Sequence, residues 1–254
     1  MNILGYDYYP EWRLQDRMAK SPENALKLLL DIWPSSIKTV EKEVNEMQKI
    51  ADKDNVTIEP WDYRFYAEKV RNEKYDYDSE EVKSYLQLEN LKDAMFFVAK
   101  EIFNLEFKEI EHGKVPVFHE DVSVWEVYDI DENKLIGLWY LDPFSRPGKR
   151  SGAWATTYRS YGSFNEKEII LASNNSNFLK PAKGEAALVS WDDAETFFHE
   201  FGHALQYSCS KVKYSRLNGG VRDYIEFHSQ LLERWLYLSL IHISEPTRLR
   251  RISY

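Results

Sequence analysis

Glu195-Thr196-Phe197-Phe198-His199-Glu200-Phe201-Gly202-His203-Ala204-Leu205 decides how this 254-residue chain is read. It contains H-E-x-x-H, from His199 to His203. On a helix, side chains four residues apart stand on one face, one turn above the other. Both imidazoles then reach a single metal ion, with Glu200 beside them to act on a water at that metal. Lone histidines are mostly satisfied surface or core residues, so the flanking sequence matters. Ser190 and Asp193 have the form of an N-cap with an acidic residue at N3. Phe197, Phe198, Phe201, Ala204 and Leu205 then make a largely apolar, buried helix, predicted over about 191–209.

A catalytic zinc takes three protein ligands and leaves the fourth position to water. Glu226 lies 23 residues beyond His203, in Asp223-Tyr224-Ile225-Glu226-Phe227, within a helix predicted from about Arg222 to Tyr237. A carboxylate on that packed neighbour completes a His₂Glu set around one zinc ion. Read alone, Glu226 is a solvated acid on a helix face, and His228, on a different face, is a rival ligand. Zinc rather than cobalt or manganese follows from ligand type and availability. Glu200 is a general base in this scheme, not a ligand: it takes the water's proton and passes it to the leaving amine. Glu195, one turn before His199, and Asp223 are candidates for orienting the imidazoles, and each reads equally well as an ordinary salt-bridge partner.

Composition excludes other classes. The net charge is −9 and no basic stripe is present, so no nucleic-acid partner is expected. No apolar run approaches the length that spans a membrane, so no membrane association is expected. The single cysteine, Cys209, rules out an internal disulfide and suits a reducing compartment. The opening MNILGYDYYPEW has no signal-peptide pattern, which favours the cytoplasm; the periplasm stays open if Met1 is internal to a longer protein. A monomer is the expected state.

The first part of the chain reads helical. Ser21-Pro22-Glu23 is a helix start with an N-cap, a proline at N1 and an acid in the first turn. Pro34 is expected to break or kink the run, after which Ile37, Val40, Val44, Met47 and Ala51 recur at helical spacing. Pro60 precedes a helix carrying Trp61, Phe65 and Val70, Ser79-Glu80-Glu81 opens a short one, and 90–104 form another. Near residue 106 the pattern turns β-rich. Val122–Tyr128 and Leu135–Leu141 flank a polar turn as a hairpin, 142–148 read as loop, and Gly152–Tyr158 and Glu168–Ala172 read as strands. The resulting division is 1–105, a helical part; 106–190, a small β-rich part; 191–237, the zinc-binding helices; and 238–254, a tail foreign to the rest.

The chain resembles the thimet oligopeptidase, oligopeptidase A and peptidyl-dipeptidase family of zinc metallopeptidases. The resemblance rests on Glu195 to Leu205 and on Arg222-Asp223-Tyr224-Ile225-Glu226-Phe227-His228-Ser229-Gln230, where the family usually carries Pro in place of His228. It extends to Arg17 to Asn24, Trp61 to Tyr66, Tyr140-Leu141-Asp142 and Arg146 to Trp154, and the Trp61-Asp62-Tyr63 and Arg146–Trp154 segments look most like the bacterial peptidyl-dipeptidase branch. The resemblance implies a mainly α fold with a small β-sheet (α+β), a zincin-like catalytic region of neurolysin-like architecture beside a deep channel, and short peptides as substrates. It assigns the metal to His199, His203 and Glu226 and the base to Glu200. Gly152 and Ala153 become candidates for an edge strand that pairs with substrate backbone, or equally for a turn before a buried strand. A catalytically dead, zinc- or peptide-binding relative is the alternative.

Leu238 to Arg248 reads LSLIHISEPTR, which resembles a transposase-end sequencing adapter translated in frame. The expectation is therefore an internal fragment, truncated at both ends. It would lack the tyrosine and histidine donors that family members carry downstream of the third ligand, and be inactive or weakly active.

Overall fold

The computed structural model describes residues 1–75, 82–164, 169–218 and 220–244. The chain divides into two compact units, Met1–Asp78 and Ser79–Tyr254.

In the first unit, a short helix α1 (Tyr9–Leu14) precedes α2 (Pro22–Ala51). Ser21 caps α2 as its sequence requires, its side chain accepting from the Asn24 N–H at 3.3 Å. The expected break at Pro34 does not occur, since α2 runs through it as one 30-residue helix. Proline removes one N–H donor, but the turns on either side keep theirs. The end of α2 buries Met47 and Ala51 against Tyr66 of α3 (Tyr63–Tyr75). Trp61 stands in the turn before α3 rather than in it, and is exposed. The short helix expected to open at Ser79-Glu80-Glu81 begins outside the described residues.

The second unit packs helices on a five-stranded sheet, so the fold is mixed α+β. Helix α4 (Leu88–Phe103) buries Leu91, Met95 and Val98. It leads into β1 (Leu105–Glu109), a strand the sequence pattern did not separate from the change near 106. The predicted hairpin forms from β2 (Ser123–Asp129) and β3 (Lys134–Phe144), with Asn133 at φ 45° in its turn. β4 (Trp154–Arg159) and β5 (Ile170–Phe178) complete the sheet in the order β1-β2-β3-β5-β4, with β3 and β5 parallel and the other pairs antiparallel. β4 is thus an edge strand.

β3 and β5 both outrun their expected ends. β3 continues through Asp142-Pro143-Phe144, read as loop, and β5 continues through Ser173-Asn174-Asn175-Ser176, beyond the expected strand end at Ala172. Those four polar residues are buried. Hydrogen bonds offset part of that cost: Trp139 Nε1 donates to Asn174 Oδ1 at 2.5 Å, and Asn175 Nδ2 donates to Ser173 Oγ and to the Trp154 carbonyl.

Helix α5 (Trp191–Cys209) lies in the core, with Phe197, Phe198 and Phe201 fully buried. Phe201 packs edge-on against Trp139 of β3 at 5.3 Å between ring centroids, and Trp139 packs on Trp125 of β2 at 5.1 Å. The last helix, α6 (Phe227–Ser244), crosses α5 at Gly202, where a Cβ would stand 2.7 Å from Ser229 Cα and 2.9 Å from the His228 carbonyl oxygen. Only glycine allows that approach, and the approach brings the two halves of the site together.

Candidate metal centre

The site is built on α5 and on the turn that opens α6. Ser190 and Asp193 form the reciprocal capping box that the sequence announces: Asp193 N–H donates to Ser190 Oγ at 3.1 Å, and Ser190 N–H to Asp193 Oδ2 at 3.2 Å. The helix so started holds His199 and His203 one turn apart, their ring centroids separated by 5.0 Å. Glu226 comes from a different local structure than predicted. A 3-10 turn (Arg222–Tyr224) precedes it and α6 starts only at Phe227, so Glu226 sits on the threshold of that helix. Ser229 fixes it there, its hydroxyl donating to the Glu226 carbonyl at 2.9 Å and to Glu226 Oε2 at 3.0 Å.

One oxygen, Glu226 Oε2, faces both imidazoles, at 3.2 Å from His199 Nε2 and 3.1 Å from His203 Nε2. Among the described residues His199, His203 and Glu226 form the one such group, their ligand atoms all within 4.8 Å of one another. His228 stays outside it and packs on the rings of Tyr224 and Phe227.

The donor set fits a zinc ion. Ligands about 2.0–2.1 Å from a tetrahedral metal stand roughly 3.3 Å apart, close to the two distances to Glu226. The opposite ring nitrogen of His199, Nδ1, lies 2.6 Å from Glu233 Oε1. A proton on Nδ1 donated to Glu233 leaves the Nε2 lone pair turned toward Glu226, acceptor facing acceptor, which a cation between them resolves. Burial pushes the His203 imidazole below its ordinary range, favouring the neutral ligand form, although Glu226 pulls the other way. Desolvation is the largest influence on Glu226 and raises its carboxyl. The Ser229 hydroxyl and the two histidines together outweigh it and hold the group below its ordinary range, as an anion.

Glu200 is buried beside this set, 9% exposed. Desolvation raises its carboxyl above the usual range, against the pull of His199 and of the Ala155 backbone N–H directed at it. Ala155 lies in β4, so the sheet edge borders the site through that residue. Gly152 and Ala153 immediately precede β4. Gly152 adopts φ +84°, open to glycine at little cost, and Asn177 Nδ2 donates to its carbonyl at 2.7 Å and to that of Arg150 at 2.8 Å, pinning the approach to the strand.

The residues around the imidazoles differ from those expected. Glu195 does not reach His199; it accepts from the Tyr237 hydroxyl at 2.9 Å. Asp223 sits on the exposed 3-10 turn, with no hydrogen bond or ion pair among the described residues. The carboxylate at His199 Nδ1 is Glu233, seven residues after Glu226 on α6. The ring turns that nitrogen across the helix pair rather than back along its own helix. Two-turn spacing from a ligand on the neighbouring helix was the signal available in the sequence. Nδ1 of His203 is buried and has no hydrogen-bond partner among the described residues.

With this geometry established, similarity identifies the family. It matches peptidase family M3 over residues 2–246 and belongs to that family. It is 38% identical over 238 residues to a dipeptidyl carboxypeptidase of Escherichia coli (strain K12), covering 92% of this chain and 34% of that protein. It is 31% identical over 245 residues to oligopeptidase A of the same strain, covering 92% of this chain and 35% of the relative. It is 33% identical over 250 residues to an organellar oligopeptidase A of Arabidopsis thaliana, covering 92% and 31% respectively. The chain thus spans about a third of the length of the curated relatives it matches. The family resemblance carried by the two motif stretches is borne out. Among the described residues no helix is long and apolar enough to cross a membrane.

Proposed function

We propose that this chain carries the zinc centre of a peptidase that hydrolyses short peptides, with a zincin-like arrangement of the H-E-x-x-H helix beside a sheet edge. One observation carries the reading: His199 Nε2, His203 Nε2 and Glu226 Oε2 converge on one point, with Glu200 buried next to it. Zinc, when bound, supplies a Lewis acid that polarises the scissile carbonyl and makes water a nucleophile near neutral pH. Glu200 takes the proton of the attacking water and delivers it to the departing amine; a carboxyl raised by burial is a better base for that task. Glu233 holds the His199 ring in one tautomer, and β4 offers an edge on which an extended peptide can lie. A retained Glu200 supports hydrolysis over simple peptide binding, since a binding protein has no use for the base. The names of the relatives include both a dipeptidyl carboxypeptidase and oligopeptidases, so dipeptide release and internal cleavage both fit this centre.

The test separates metal from base. Zinc content by inductively coupled plasma mass spectrometry should be one ion per chain in the wild type and in Glu200→Gln, and near zero in His203→Ala. Cleavage of a quenched fluorescent peptide should vanish in Glu200→Gln. Hydrolysis that survives Glu200→Gln removes Glu200 from its role, and zinc that survives His203→Ala removes the ligand set.

A further inference from the structure

Between Asp142 and Ala155 the chain carries three cations, Arg146, Lys149 and Arg150, and one acid, Asp142. Asp142 is committed inward. It is buried, accepts both arms of Arg146 at 2.6 and 2.9 Å, and lies 3.1 Å from Lys149 Nζ. Lys149 is buried with it and also donates to the carbonyls of Asp142 and Phe144. Arg150 is left over. It is exposed and makes no ion pair among the described residues, in a chain whose net charge is −9. Two contacts hold it in place. Its guanidinium carbon stands 4.5 Å from the centroid of the Trp154 ring, which restricts the fork. Its carbonyl accepts from Asn177 Nδ2, the same amide that holds the Gly152 carbonyl. An unpaired guanidinium on a pinned backbone is preorganised to take a carboxylate through two parallel hydrogen bonds.

A solvated arginine resting on an aromatic ring is the plainer reading, and its position decides against it. Arg150 stands at the approach to β4, the edge of the sheet, and Ala155 of that strand directs its N–H at Glu200. A peptide cut at this centre therefore has its reacting bond beside Ala155. An added strand pairs best antiparallel to its neighbour. A peptide antiparallel to β4 runs its C-terminal end toward the start of the strand, where Gly152 and Arg150 lie. At about 3.4 Å per residue, two residues beyond the reacting bond bring a chain end to that approach. We propose that Arg150 determines specificity by binding the C-terminal carboxylate of a peptide laid antiparallel on β4, and so favours release of a short C-terminal piece. This rests on the peptidase reading, and its test reads zinc and carboxylate separately.

The full 254-residue chain carrying Glu200→Gln, which keeps a bound peptide intact, is loaded with zinc and titrated by fluorescence anisotropy. The probes are dansyl-Ala-Ala-Phe-Ala as the free acid and as the C-terminal amide. The acid should bind about tenfold more tightly than the amide. Adding Arg150→Gln should weaken the acid about tenfold and leave the amide unchanged, with zinc content by mass spectrometry also unchanged. Arg150→Lys keeps the charge without the fork and should retain part of the preference. Dansyl-Ala-Ala-Phe-Glu amide, whose carboxylate is on a side chain, should bind like the neutral amide. Equal binding of acid and amide to the zinc-loaded chain, or no binding of either, overturns the proposal and leaves the metal centre standing. Equal losses of acid and amide in Arg150→Gln overturn it too, since Arg150 then acts only on the fold. So does a glutamyl amide bound as tightly as the acid, because the site then reads side chains rather than chain ends. A preference for the acid in a chain that takes up no zinc would sink the metal centre and keep the Arg150 site.

Discussion

Helices α2 and α5 begin alike and are buried very differently. Each starts at a serine whose hydroxyl accepts an N–H three residues on, and each carries apolar residues at helical spacing. In α5, Phe197, Phe198 and Phe201 are fully buried. In α2, Leu26, Leu29, Leu30 and Trp33 are all more than half exposed, and only Met47 and Ala51 are buried. Local signals start a helix, but what covers its apolar face is a property of the tertiary structure. The polar groups repeat the contrast. Lys27 and Asp31 on α2 meet at 2.6 Å with both side chains solvated, while Arg146 and Asp142 also meet at 2.6 Å with Asp142 buried and Lys149 buried beside it. Equal distances stand for unequal energies, because the solvent around each pair differs.

Five substitutions can break or sharpen this comparison. Phe198→Ala in α5 should destabilise the chain by about 3–5 kcal/mol, read as a shift in the urea midpoint, through the cavity left in a packed core. A loss below about 1 kcal/mol would place α5 with α2 rather than against it.

Asp142→Asn should cost about 3 kcal/mol, because it leaves the Lys149 ammonium buried without its counter-charge. The same pair predicts a pH signature. Desolvation, the largest influence on Asp142, raises its carboxyl, but the bonds from Arg146 and Lys149 together outweigh it and hold the group below its ordinary range. A depressed carboxyl contributes stability that is complete above the unfolded pKa, near 3.9, and is lost as pH falls through the folded value. Urea midpoints measured downward from neutral pH should fall in the wild type below about pH 4, with that component missing in Asp142→Asn.

Glu233→Gln should lower zinc affinity by about 10–100-fold, as expected for loss of a carboxylate partner to a ligating histidine. Competition with a chromophoric chelator reads this directly, and unchanged affinity would reduce the 2.6 Å contact to packing. Smallest of all, Leu29→Gln and Asp31→Asn on α2 should each stay within about 0.5 kcal/mol of wild type. A larger loss from Leu29→Gln, with Asp31→Asn neutral, would mean that the exposed row on α2 is buried in the protein under test.

Much of the site was legible in sequence because its determinants are local. Two histidines four apart on a capped helix share a face whatever surrounds them, and the boundaries of α5 follow from Ser190 and Asp193. The hairpin of β2 and β3 is local in the same way, two alternating runs around a polar turn. What the sequence left unread depends on partners distant in the chain. β5 keeps its strand through Ser173 to Ser176 because Trp139, 35 residues away from Asn174, and Trp154 help satisfy those buried polar groups. Glu195 and Glu233 are equally plausible carboxylates for His199 in sequence, and only the crossing of α5 and α6 selects Glu233.

By itself, then, the sequence determined the H-E-x-x-H helix, the placing of its two imidazoles on one face, and the family to which the chain belongs, since each is written in short-range spacing or in residues that match in order. The tertiary structure alone decided that a glycine-sized gap at Gly202 lets α6 approach α5, and that Glu226 reaches both histidines from a helix threshold. Those features arise from close packing between segments far apart in the chain, where a single Cβ is enough to change the distance.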